Sequence, residues 1–480
     1  MTNAAIFIIV IPMFTAVVIT LLDFTPWRAF CGHLAMLSLA AAFGLALILT
    51  PQILRGESVV YTLGSWDQII GISLLVDRLT IFMVLLNNLL GVLVLLYALA
   101  EGKYEPKFYA LLLIMMSAIS GAFLSRDIFN LFVFMEVLSI ASYILVAHYG
   151  SQGSFLAGIN YLLISSIGLI FFLFGIGVLY RYIGTLNMIE ISEKIPEFFS
   201  TSPRALILTL ALFMIGFGIK CAMAPLHTWL PDAHSIAPSP VSALLSGIVI
   251  KVGIYAFFRT VQMFRLCPFI ESLYALLVYT GAVTAIFGAI MALVQSDLKR
   301  LLAYSSINQI GYILIGIGLG TASGASGALF HTVNHAFAKS CLFLCAGAVI
   351  EQTGRRKISE LGIVAKEMPA VTAIFILASL SLIGIPPAGG FFSKLMIGLA
   401  SAKSGHPFIA VIIFFSSIIT GAYFLRCIGV FFQGEEGYII SKKKCSALVY
   451  LSLILLVSGI FVVVVFPGAG ENILSVTAVP

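Results

Sequence analysis

Residues 137–180 read VLSIASYILV AHYGSQGSFL AGINYLLISS IGLIFFLFGI GVLY and contain no Asp, Glu, Lys or Arg. A helix needs about 20 mostly apolar residues to cross the hydrocarbon core of a bilayer. This stretch is long enough to complete one such helix and to hold a second, with a hydrophilic break at Gly150–Gly153. Because lipid offers the backbone no hydrogen-bond partners, both spans must be helical. The stretch therefore predicts a membrane protein built from helices.

Similar windows recur along the whole chain. Other uncharged stretches cover 1–22, 29–54, 79–100, 108–125, 272–296, 301–338, 368–393, 404–425 and 445–470. Together with apolar runs that hold one or two charges, they predict 14 spans at about 4–22, 29–50, 75–98, 108–125, 128–148, 155–181, 205–229, 239–264, 272–295, 301–320, 326–350, 368–402, 407–430 and 446–466. The predicted fold class is an all-α polytopic membrane protein with 14 transmembrane helices.

The composition excludes several other classes of protein. The chain has 480 residues with 26 Lys+Arg and 20 Asp+Glu, and 61% of its residues are hydrophobic. Charged residues make up 10% of the chain, whereas soluble proteins carry about 25%. So little charge cannot cover a soluble surface, which excludes a soluble enzyme, a nucleic-acid-binding protein and a disordered protein. The net charge of +6 is spread along the chain and indicates no anionic partner.

The basic residues also predict an orientation. Met1-Thr2-Asn3 offers no Lys or Arg before the first apolar run, so we expect a retained first span rather than a signal peptide. Outside the spans, 13 basic residues lie on the side opposite the termini and 9 on the same side, counted over the predicted loops. The positive-inside rule then predicts that both termini lie outside the cytoplasm. Lys299-Arg300 and Lys442-Lys443-Lys444 are among the charges on the cytoplasmic side.

A small set of ionisable residues falls inside the predicted spans. Its members are Glu136, Lys220, Lys251, His331, His335, Lys339 and Lys394. Ionisable groups at membrane depth are rare and commonly mark ion pathways. Glu136 lies about ten residues, or ~15 Å, into its helix, and an unpaired carboxylate there would need a proton or a cation. Lys220, at a similar depth, is its candidate partner. Lys251 and Lys394 lie too far inside apolar runs for simple snorkelling to an interface.

His331, His335 and Lys339 are spaced i, i+4 and i+8, so they form one polar stripe on an otherwise apolar helix. Three interpretations stay open. Two histidines four residues apart could bind a metal, although no acid accompanies them and HExxH is absent. The stripe could also be a structural set of satisfied polar groups. We favour a proton relay, because histidine titrates near neutral pH. We expect no metal site.

Two proline-rich segments interrupt the spans. One is 224–232, with Pro225 and Pro231 among polar groups, and the other is 384–394, with Pro386 and Pro387 beside three glycines. A proline in mid-span removes a backbone hydrogen bond and breaks the helix. Broken helices persist in membranes where the freed backbone lines a cavity or is packed in protein, and in transporters they mark ion sites. A lysine accompanies each break.

The breaks predict an internal repeat. Residues 108–264 and 272–430 each hold five predicted spans, and in both sets the fourth is broken by proline and bears a lysine. In both, a basic residue follows on the next span, Lys251 in the first set and Arg426 in the second. Because five is odd, the two units would run in opposite senses, which is an inverted-topology repeat. The second unit has no acid matching Glu136, and Asn308 and Gln309 are its nearest polar groups.

The predicted organisation therefore has four parts. They are a three-helix N-terminal segment at 1–107, the first repeat at 108–264, the inverted second repeat at 272–430, and the last helix with the C-terminal tail at 446–480.

Several motifs carry a resemblance to a known family. They are GAFL at 121–124, DIFNLFV at 127–133 with Glu136, GTLNM at 184–188, PLHTWLPDAH at 225–234, SDLKRLLAYSS at 296–306, the His331/His335 stripe, and GIPP at 384–387. The chain resembles an antiporter-like subunit shared by respiratory complex I, Mrp-type cation/proton antiporters and membrane-bound energy-converting hydrogenases. The first motifs and GIPP look like the Mrp D subunit. The PLHTWLPDAH run and the histidine stripe look more like proton-pumping subunits of complex I, such as N and M, and of hydrogenases.

The resemblance implies roles for the buried residues. Carried over by position, the family's input-side pair falls on Glu136 and Lys220, its central lysine on Lys251, its relay helix on His331, His335 and Lys339, and its exit-side residue on Lys394. The first repeat would be the proton-input half and the second the exit half. The implied setting is the inner or plasma membrane of a prokaryotic cell.

The expected partners are membrane lipid, H⁺ or Na⁺, and other membrane subunits, both antiporter-like and small helical ones. Redox subunits with flavin, NiFe or iron–sulfur centres would supply the driving reaction. We expect no cofactor in this chain, because its seven cysteines are scattered without a CxxC pair.

The functional prediction is a proton-pumping subunit of a complex of the NADH:quinone oxidoreductase or energy-converting hydrogenase type. Protons would pass along a midplane chain from Glu136 and Lys220 through Lys251 and the histidine stripe to Lys394. One alternative is the D subunit of an Mrp-type Na⁺/H⁺ antiporter. A third is a structural membrane subunit. The sequence offers no redox, nucleotide or hydrolytic site of its own.

Overall fold

The computed structural model describes residues 3–65, 71–434 and 445–465. Within these ranges, 12 helices are long and apolar enough to cross a membrane, and two shorter apolar helices cover Pro369–Ile383 and Ala447–Val462. The protein is thus a polytopic helical membrane protein, as the sequence predicts. Lys442-Lys443-Lys444 and the predicted C-terminal tail from 466 onward lie outside the described residues.

The described helices are α1 (Ala4–Leu22), α2 (Cys31–Leu54), α3 (Arg78–Glu101), α4 (Pro106–Leu124), α5 (Ile128–Val146), α6 (Gln152–Ile183), α7 (Met188–Thr201), α8 (Pro203–Lys220), α9 (Trp229–Ile236), α10 (Ser239–Leu244), α11 (Ile250–Met263), α12 (Ile270–Leu293), α13 (Leu298–Gly318), α14 (Ala322–Thr353), α15 (Val364–Glu367), α16 (Pro369–Ile383), α17 (Gly389–Lys403), α18 (Pro407–Phe431) and α19 (Ala447–Val465). A π-helical turn, Leu245–Val249, joins α10 to α11.

A β-hairpin departs from the all-helical prediction, and a short helix, α7, lies outside the predicted spans. Strands β1 (Val59–Thr62) and β2 (Ser73–Val76) pair antiparallel, with Val59 opposite Val76. Helix α7 has its buried side chains on one side only, at Ile191, Ile195 and Phe198. Both elements lie between spans, where backbone and polar side chains are not confined to hydrocarbon. We call the face with β1, β2 and the start of α3 the hairpin face, and the other the opposite face.

Helix starts are fixed by side-chain caps. Asp77, Asp127 and Asp297 each accept the backbone N–H of the third residue beyond them, at the starts of α3, α5 and α13. Such a cap satisfies one of the orphan donors of a helix N-terminus. Each of these helices therefore begins at a defined residue at a membrane face.

Loops at the two faces are held by matching backbone bridges. Asp127 pairs with Asn187 on the hairpin face, and Asp297 pairs with Lys357 on the opposite face. In the first bridge, the Ile128 N–H donates to the Leu186 carbonyl at 3.0 Å. In the second, the Leu298 N–H donates to the Arg356 carbonyl, also at 3.0 Å. Each bridge ties the start of one helix to the loop after the following 32-residue helix, α6 or α14.

The segment Ser239–Met263 and helices α13 and α14 form the enclosed centre of the molecule, whereas α1, α2, α6 and α18 leave much of their surface outside. The enclosed helices carry Lys251, His331, His335 and Lys339. The core therefore holds these ionisable residues away from lipid.

A chain of buried ionisable side chains

The structure places six of the seven predicted residues in the interior. Lys251, His331, His335 and Lys339 are 0% exposed, Lys220 is 3% and Lys394 is 6%. Glu136 on α5 is half-buried. A buried charge is costly unless it is hydrogen-bonded, so the partners of each group indicate how it is accommodated.

Lys220 is the last residue of α8 and is held by hydroxyls. Its ammonium donates to the Ser139 hydroxyl of α5 and, at 3.0 Å, to the Ser165 hydroxyl of α6. The sequence pairs it with Glu136, but no ion pair within 4 Å joins them in the described residues. Ser139, three residues after Glu136 on the same helix face, takes the contact instead. The charge of Glu136 still acts on Lys220 electrostatically.

The first helix break lies at 221–228, earlier than the predicted end of that span at 229. Pro225 is in this link, whereas Pro231 lies in the first turn of α9, where a missing N–H breaks no helical hydrogen bond. The Trp229 indole donates to the Ile219 carbonyl at 2.8 Å, and the Ala224 N–H donates to the Thr284 hydroxyl at 3.1 Å. The freed backbone groups of α8 are therefore satisfied by protein.

Lys251 lies next to the π-helical turn. Its Nζ donates to the Ser246 carbonyl at 2.5 Å and lies 2.6 Å from Nδ1 of His335. Gly253, two residues on, faces the end of α8, where an added Cβ would lie 2.7 Å from the Cys221 nitrogen and 3.0 Å from the Lys220 Cβ. Only glycine permits this approach, which brings the helix of the central lysine against that of Lys220.

The stripe on α14 spreads to three other helices. His335 meets Lys251, and Nδ1 of His331 lies 2.8 Å from the Ser393 hydroxyl on α17. Lys339 turns to α13, where it donates to the Ser305 hydroxyl and, at 3.0 Å, to the Leu302 carbonyl. The two histidine rings are nearly parallel, with centroids 6.4 Å apart. In the part of the chain that the structure describes, no three metal-type ligands come together.

The second break is the link 384–388 between α16 and α17, which contains both Pro386 and Pro387. Lys394 lies just after it, in the second turn of α17. Its ammonium donates to the carbonyls of Leu382 at 2.7 Å and Ile383 at 3.1 Å, and to the Ser417 hydroxyl at 3.1 Å. These carbonyls end α16 and have no helical partner. The lysine thus caps a broken helix from within the next one.

Some polar residues were missed by sequence reasoning. His234 on α9 is 0% exposed, and neither ring nitrogen has a hydrogen-bond partner in the described residues. Lys299, counted in the sequence as a loop charge, is 5% exposed and donates to the Ala237 carbonyl at 2.8 Å. The serines that link the lysines and histidines also escaped notice, since serine is common in membrane helices. The position of Ser139 one turn from Glu136 was an available signal.

Comparison with known proteins gives this geometry a context. The family described as "NADH:quinone oxidoreductase/Mrp antiporter, TM" matches residues 125–420. The N subunit of NADH-quinone oxidoreductase from Desulforudis audaxviator (strain MP104C) is 36% identical over 88% of this chain and 85% of its own length. The D subunit of the Na⁺/H⁺ antiporter from Alkalihalophilus pseudofirmus is 32% identical over 82% of this chain and 81% of its own.

Among solved structures, a chain of the membrane-bound sulfane sulfur reductase, an archaeal respiratory membrane complex, superposes with a TM-score of 0.91 at 29% identity. The match covers 99% of this chain and 96% of that chain. The family match covers more than half of the chain, and the relatives and the superposed structure extend over most of it. The chain therefore belongs to the NADH:quinone oxidoreductase/Mrp antiporter family, as an antiporter-like subunit of a multisubunit membrane complex.

Proposed function

We propose that this chain translocates protons within a redox-driven membrane complex of the NADH:quinone oxidoreductase or energy-converting hydrogenase type. The observation that carries the proposal is the buried contact of 2.6 Å between Lys251 Nζ and His335 Nδ1. It joins two titratable groups from different helices without a carboxylate between them. A proton on the lysine can pass to the histidine without leaving the protein.

The input side of the proposed path is the Glu136–Lys220 pair. Lys220 donates hydrogen bonds to hydroxyl groups, and Glu136 interacts with it electrostatically without contact. A small movement of α5 or α8 would change that interaction, and with it the preference of the lysine for its proton. Gly253 sets the spacing to the next group, Lys251. Lys220 is thus placed to release a proton toward the centre when Glu136 moves.

The output side runs from His335 to Lys394. The Lys251 ammonium can only donate, so Nδ1 of His335 accepts its proton and the ring N–H of the neutral histidine lies on Nε2. Nε2 of both His331 and His335 lacks a hydrogen-bond partner among the described residues, so the Nε2 proton of His335 can leave once Nδ1 has taken one from Lys251. Nδ1 of His331 contacts Ser393, the residue before Lys394. We assign Lys339 to a side branch, because its bonds go to α13 rather than along this line. Release would follow at Lys394, which is 6% exposed.

The energy required is modest. Moving one elementary charge against 100 mV costs about 2.3 kcal/mol, and a shift of about two pKa units in a coupled group is worth a similar amount. A conformational change that moves Glu136 relative to Lys220 can supply this energy. The driving reaction would come from partner subunits, since we assign no cofactor to this chain.

The proposed architecture is a pair of inverted repeats within 14 spans. Several pairs of matching features lie 170 residues apart in sequence, which supports this architecture. They are the starts of α5 and α13, the starts and ends of α6 and α14, and the bridges Asp127–Asn187 and Asp297–Lys357. The bridges lie at opposite faces, as inversion requires. The broken α16–α17 pair and α19 would bring the span count to 14.

The two halves are not equivalent in charge. Arg426, which the spacing matches to Lys251, is exposed and donates to the Gln295 carbonyl at 2.5 Å. On α13, the 170-residue spacing matches Glu136 to Ser306, which carries no charge. Asn308, a nearby polar group, donates to the Ser416 hydroxyl at 2.7 Å. We therefore retain 108–264 as the input half and 272–430 as the exit half, flanked by the segments 1–107 and 446–480.

The proposed setting is a prokaryotic inner or plasma membrane with both termini outside the cytoplasm. Lipid, antiporter-like subunits and small helical subunits would surround the chain, and redox subunits with flavin, NiFe or iron–sulfur centres would drive it. A second candidate is the D subunit of an Mrp-type Na⁺/H⁺ antiporter, which the 32% identity to such a subunit favours. A structural role without transport is the remaining alternative.

The experiment has two parts. Purification of the intact complex from native membranes identifies its partners: flavin, nickel or iron–sulfur subunits support the redox pump, whereas only small membrane subunits and a sodium dependence support the antiporter. In reconstituted complex, Lys220→Ala with Lys251→Ala should abolish proton transport. Lys403→Ala, at the exposed end of α17, is the matched control. If transport survived the double substitution, the remaining interpretation would be a structural subunit without transport.

A further inference from the structure

A second polar stripe starts at Lys251 and leads toward the hairpin face. Lys251, Tyr255 and Arg259 are spaced i, i+4 and i+8 on α11, so they follow one another along one side of the helix at about 6 Å intervals. Thr80 of α3 joins them, with its hydroxyl 3.2 Å from that of Tyr255. Beyond Lys251, the proton path proposed above does not use this stripe.

Arg259 ends the stripe with all five N–H groups bonded. Its Nε donates to the Tyr255 hydroxyl at 2.8 Å, and its two terminal nitrogens donate to both carboxylate oxygens of Asp77 at 2.7 and 2.9 Å. The remaining N–H groups go to Thr80 at 2.8 Å and Gln262 at 3.1 Å. The Tyr255 hydroxyl donates to the Phe123 carbonyl at 2.5 Å. The guanidinium is therefore fixed between α3, α4 and α11.

A cavity of about 120 Å³ opens beside this cluster on the hairpin face. Its walls include Asp77, Arg126, Glu193, Arg259 and Gln262. Arg265 also lines it, and the side chains of Arg259 and Asp77 are only 11% and 14% exposed. Arg259, the last residue of the stripe, therefore borders a cavity at the hairpin face. Along α11, Arg259 lies about two turns from the central lysine, Lys251.

The central lysine is bonded away from this side. Its two contacts are the Ser246 carbonyl, nearer the opposite face, and His335 on α14. A proton that left Lys251 along Tyr255 would reach the cavity without passing through the second repeat, 272–430. In a pump, that route would be a proton leak.

We propose that Arg259, fixed by Asp77, is an electrostatic barrier that closes the first half toward the hairpin face and so prevents proton leak from Lys251. This inference rests on the proposed function. The guanidinium stays protonated, so the barrier carries a permanent positive charge. A fixed positive charge at the end of a polar stripe repels protons and cations, as a fixed arginine does in other selective pores. Asp77 holds the guanidinium in place and limits the cost of burying it.

The alternative is a clamp that only holds three helices together. The two roles differ in what they need: a barrier needs the charge, whereas a clamp needs the two-pronged hydrogen-bond geometry. Arg259→Lys keeps the charge and loses that geometry. Asp77→Asn with Arg259→Gln removes both charges and leaves neither one buried alone.

The test is passive proton flux into proteoliposomes that contain the intact complex, with a potassium diffusion potential of about 100 mV and no substrate for the complex. We expect the Asp77→Asn/Arg259→Gln complex to leak at least about tenfold faster than the unmodified one. Arg259→Lys should stay tight. Arg426→Gln, a neutralised arginine at the exposed end of α18, is the matched control and should also stay tight. Adding Lys251→Ala to the double variant should remove the leak.

Three results would overturn the barrier: a tight double variant, an Arg259→Lys complex that leaks as fast as the double variant, or a leak that persists without Lys251. The first two results would mean that Arg259 and Asp77 only hold the helices together, and the third would mean that the leak comes from a packing defect. Passive flux is measured without turnover. A failure of the barrier is therefore distinct from a failure of the proposed pump, which would appear as driven transport that survives loss of Lys220 and Lys251.

Discussion

At the scale of single residues, hydroxyl groups rather than acids accompany most of the buried lysines. Lys220 rests on Ser139 and Ser165, Lys339 on Ser305, and Lys394 on Ser417 and backbone carbonyls. A hydroxyl can donate and accept, so it stabilises a lysine without holding its proton as a carboxylate would. Such surroundings suit a group that must gain and lose a proton.

Ser393 on α17 contacts His331 on α14. Ser393→Ala should lower proton transport by about tenfold, equivalent to a barrier higher by about 1.4 kcal/mol, because His331 loses its hydrogen bond to α17. Transport by reconstituted complex is the measurement. The matched control is Ser401→Ala, a buried serine on the same helix whose hydroxyl bonds only to the Gly398 carbonyl. Equal loss in both variants would show that α17 itself, not the contact, is at fault.

Asp77 gives a prediction about pH. Burial alone would raise its pKa, but the charge and hydrogen bonds of Arg259, with those of Thr80, leave the pKa below the ordinary value for aspartate. The ion pair therefore adds stability above the unfolded-state pKa, and this contribution is lost only as pH falls through the lower folded value. Asp77→Asn should cost about 3 kcal/mol.

Thermal unfolding of the purified complex across pH checks this sign. The difference between Asp77→Asn and the unmodified protein should be constant from about pH 5 to about pH 9 and should shrink below about pH 4. A difference that instead grew on acidification would contradict the assignment of a lowered pKa.

At the scale of elements, much could be predicted from the sequence. Uncharged windows located the spans, because lipid forbids unpaired backbone and tolerates few charges. The helix breaks at Pro225 and at Pro386 were also visible, since proline removes a backbone donor. The hairpin and α7 were not, because neither is long or apolar enough to stand out beside 20-residue spans.

The contacts between elements could not be predicted. Nothing in the spacing of His331, His335 and Lys339 says that they reach three different helices. The pairing of Arg259 with Asp77 joins residues 182 positions apart, and sequence distance gives no sign of it. The sequence named Glu136 as the candidate partner of Lys220 but did not indicate the hydroxyls of Ser139 and Ser165 that the lysine contacts, because those contacts depend on how α5, α6 and α8 pack.

The approach of α11 to α8 gives a prediction at this scale. Gly253→Ala should destabilise the protein by about 1–3 kcal/mol, because the new Cβ would meet main-chain atoms of Cys221 that cannot move aside. It should also slow proton transport by separating Lys251 from Lys220. Gly177→Ala, on α6 with no neighbour within 4 Å of the new atom, should change neither. Unfolding temperature and transport by the two variants are compared directly.

At the scale of the whole molecule, a line of few ionisable side chains lies inside a large set of apolar helices. The enclosed helix α14 and the segment Ser239–Met263 carry the middle of that line, and the surrounding helices keep it from lipid. Both breaks lie where a helix end is needed beside a lysine. The bridges at the two faces, 170 residues apart in sequence, are consistent with duplication of one five-helix unit.

The central claim is that Lys251 must give up its proton during transport, and Lys251→Arg tests it most directly. Arginine keeps the positive charge and the donors but does not release a proton. In reconstituted complex that retains its partner subunits, we predict that Lys251→Arg abolishes driven proton transport, whereas Lys403→Arg at the exposed end of α17 leaves it unchanged. Normal transport by the Lys251→Arg complex would contradict the account.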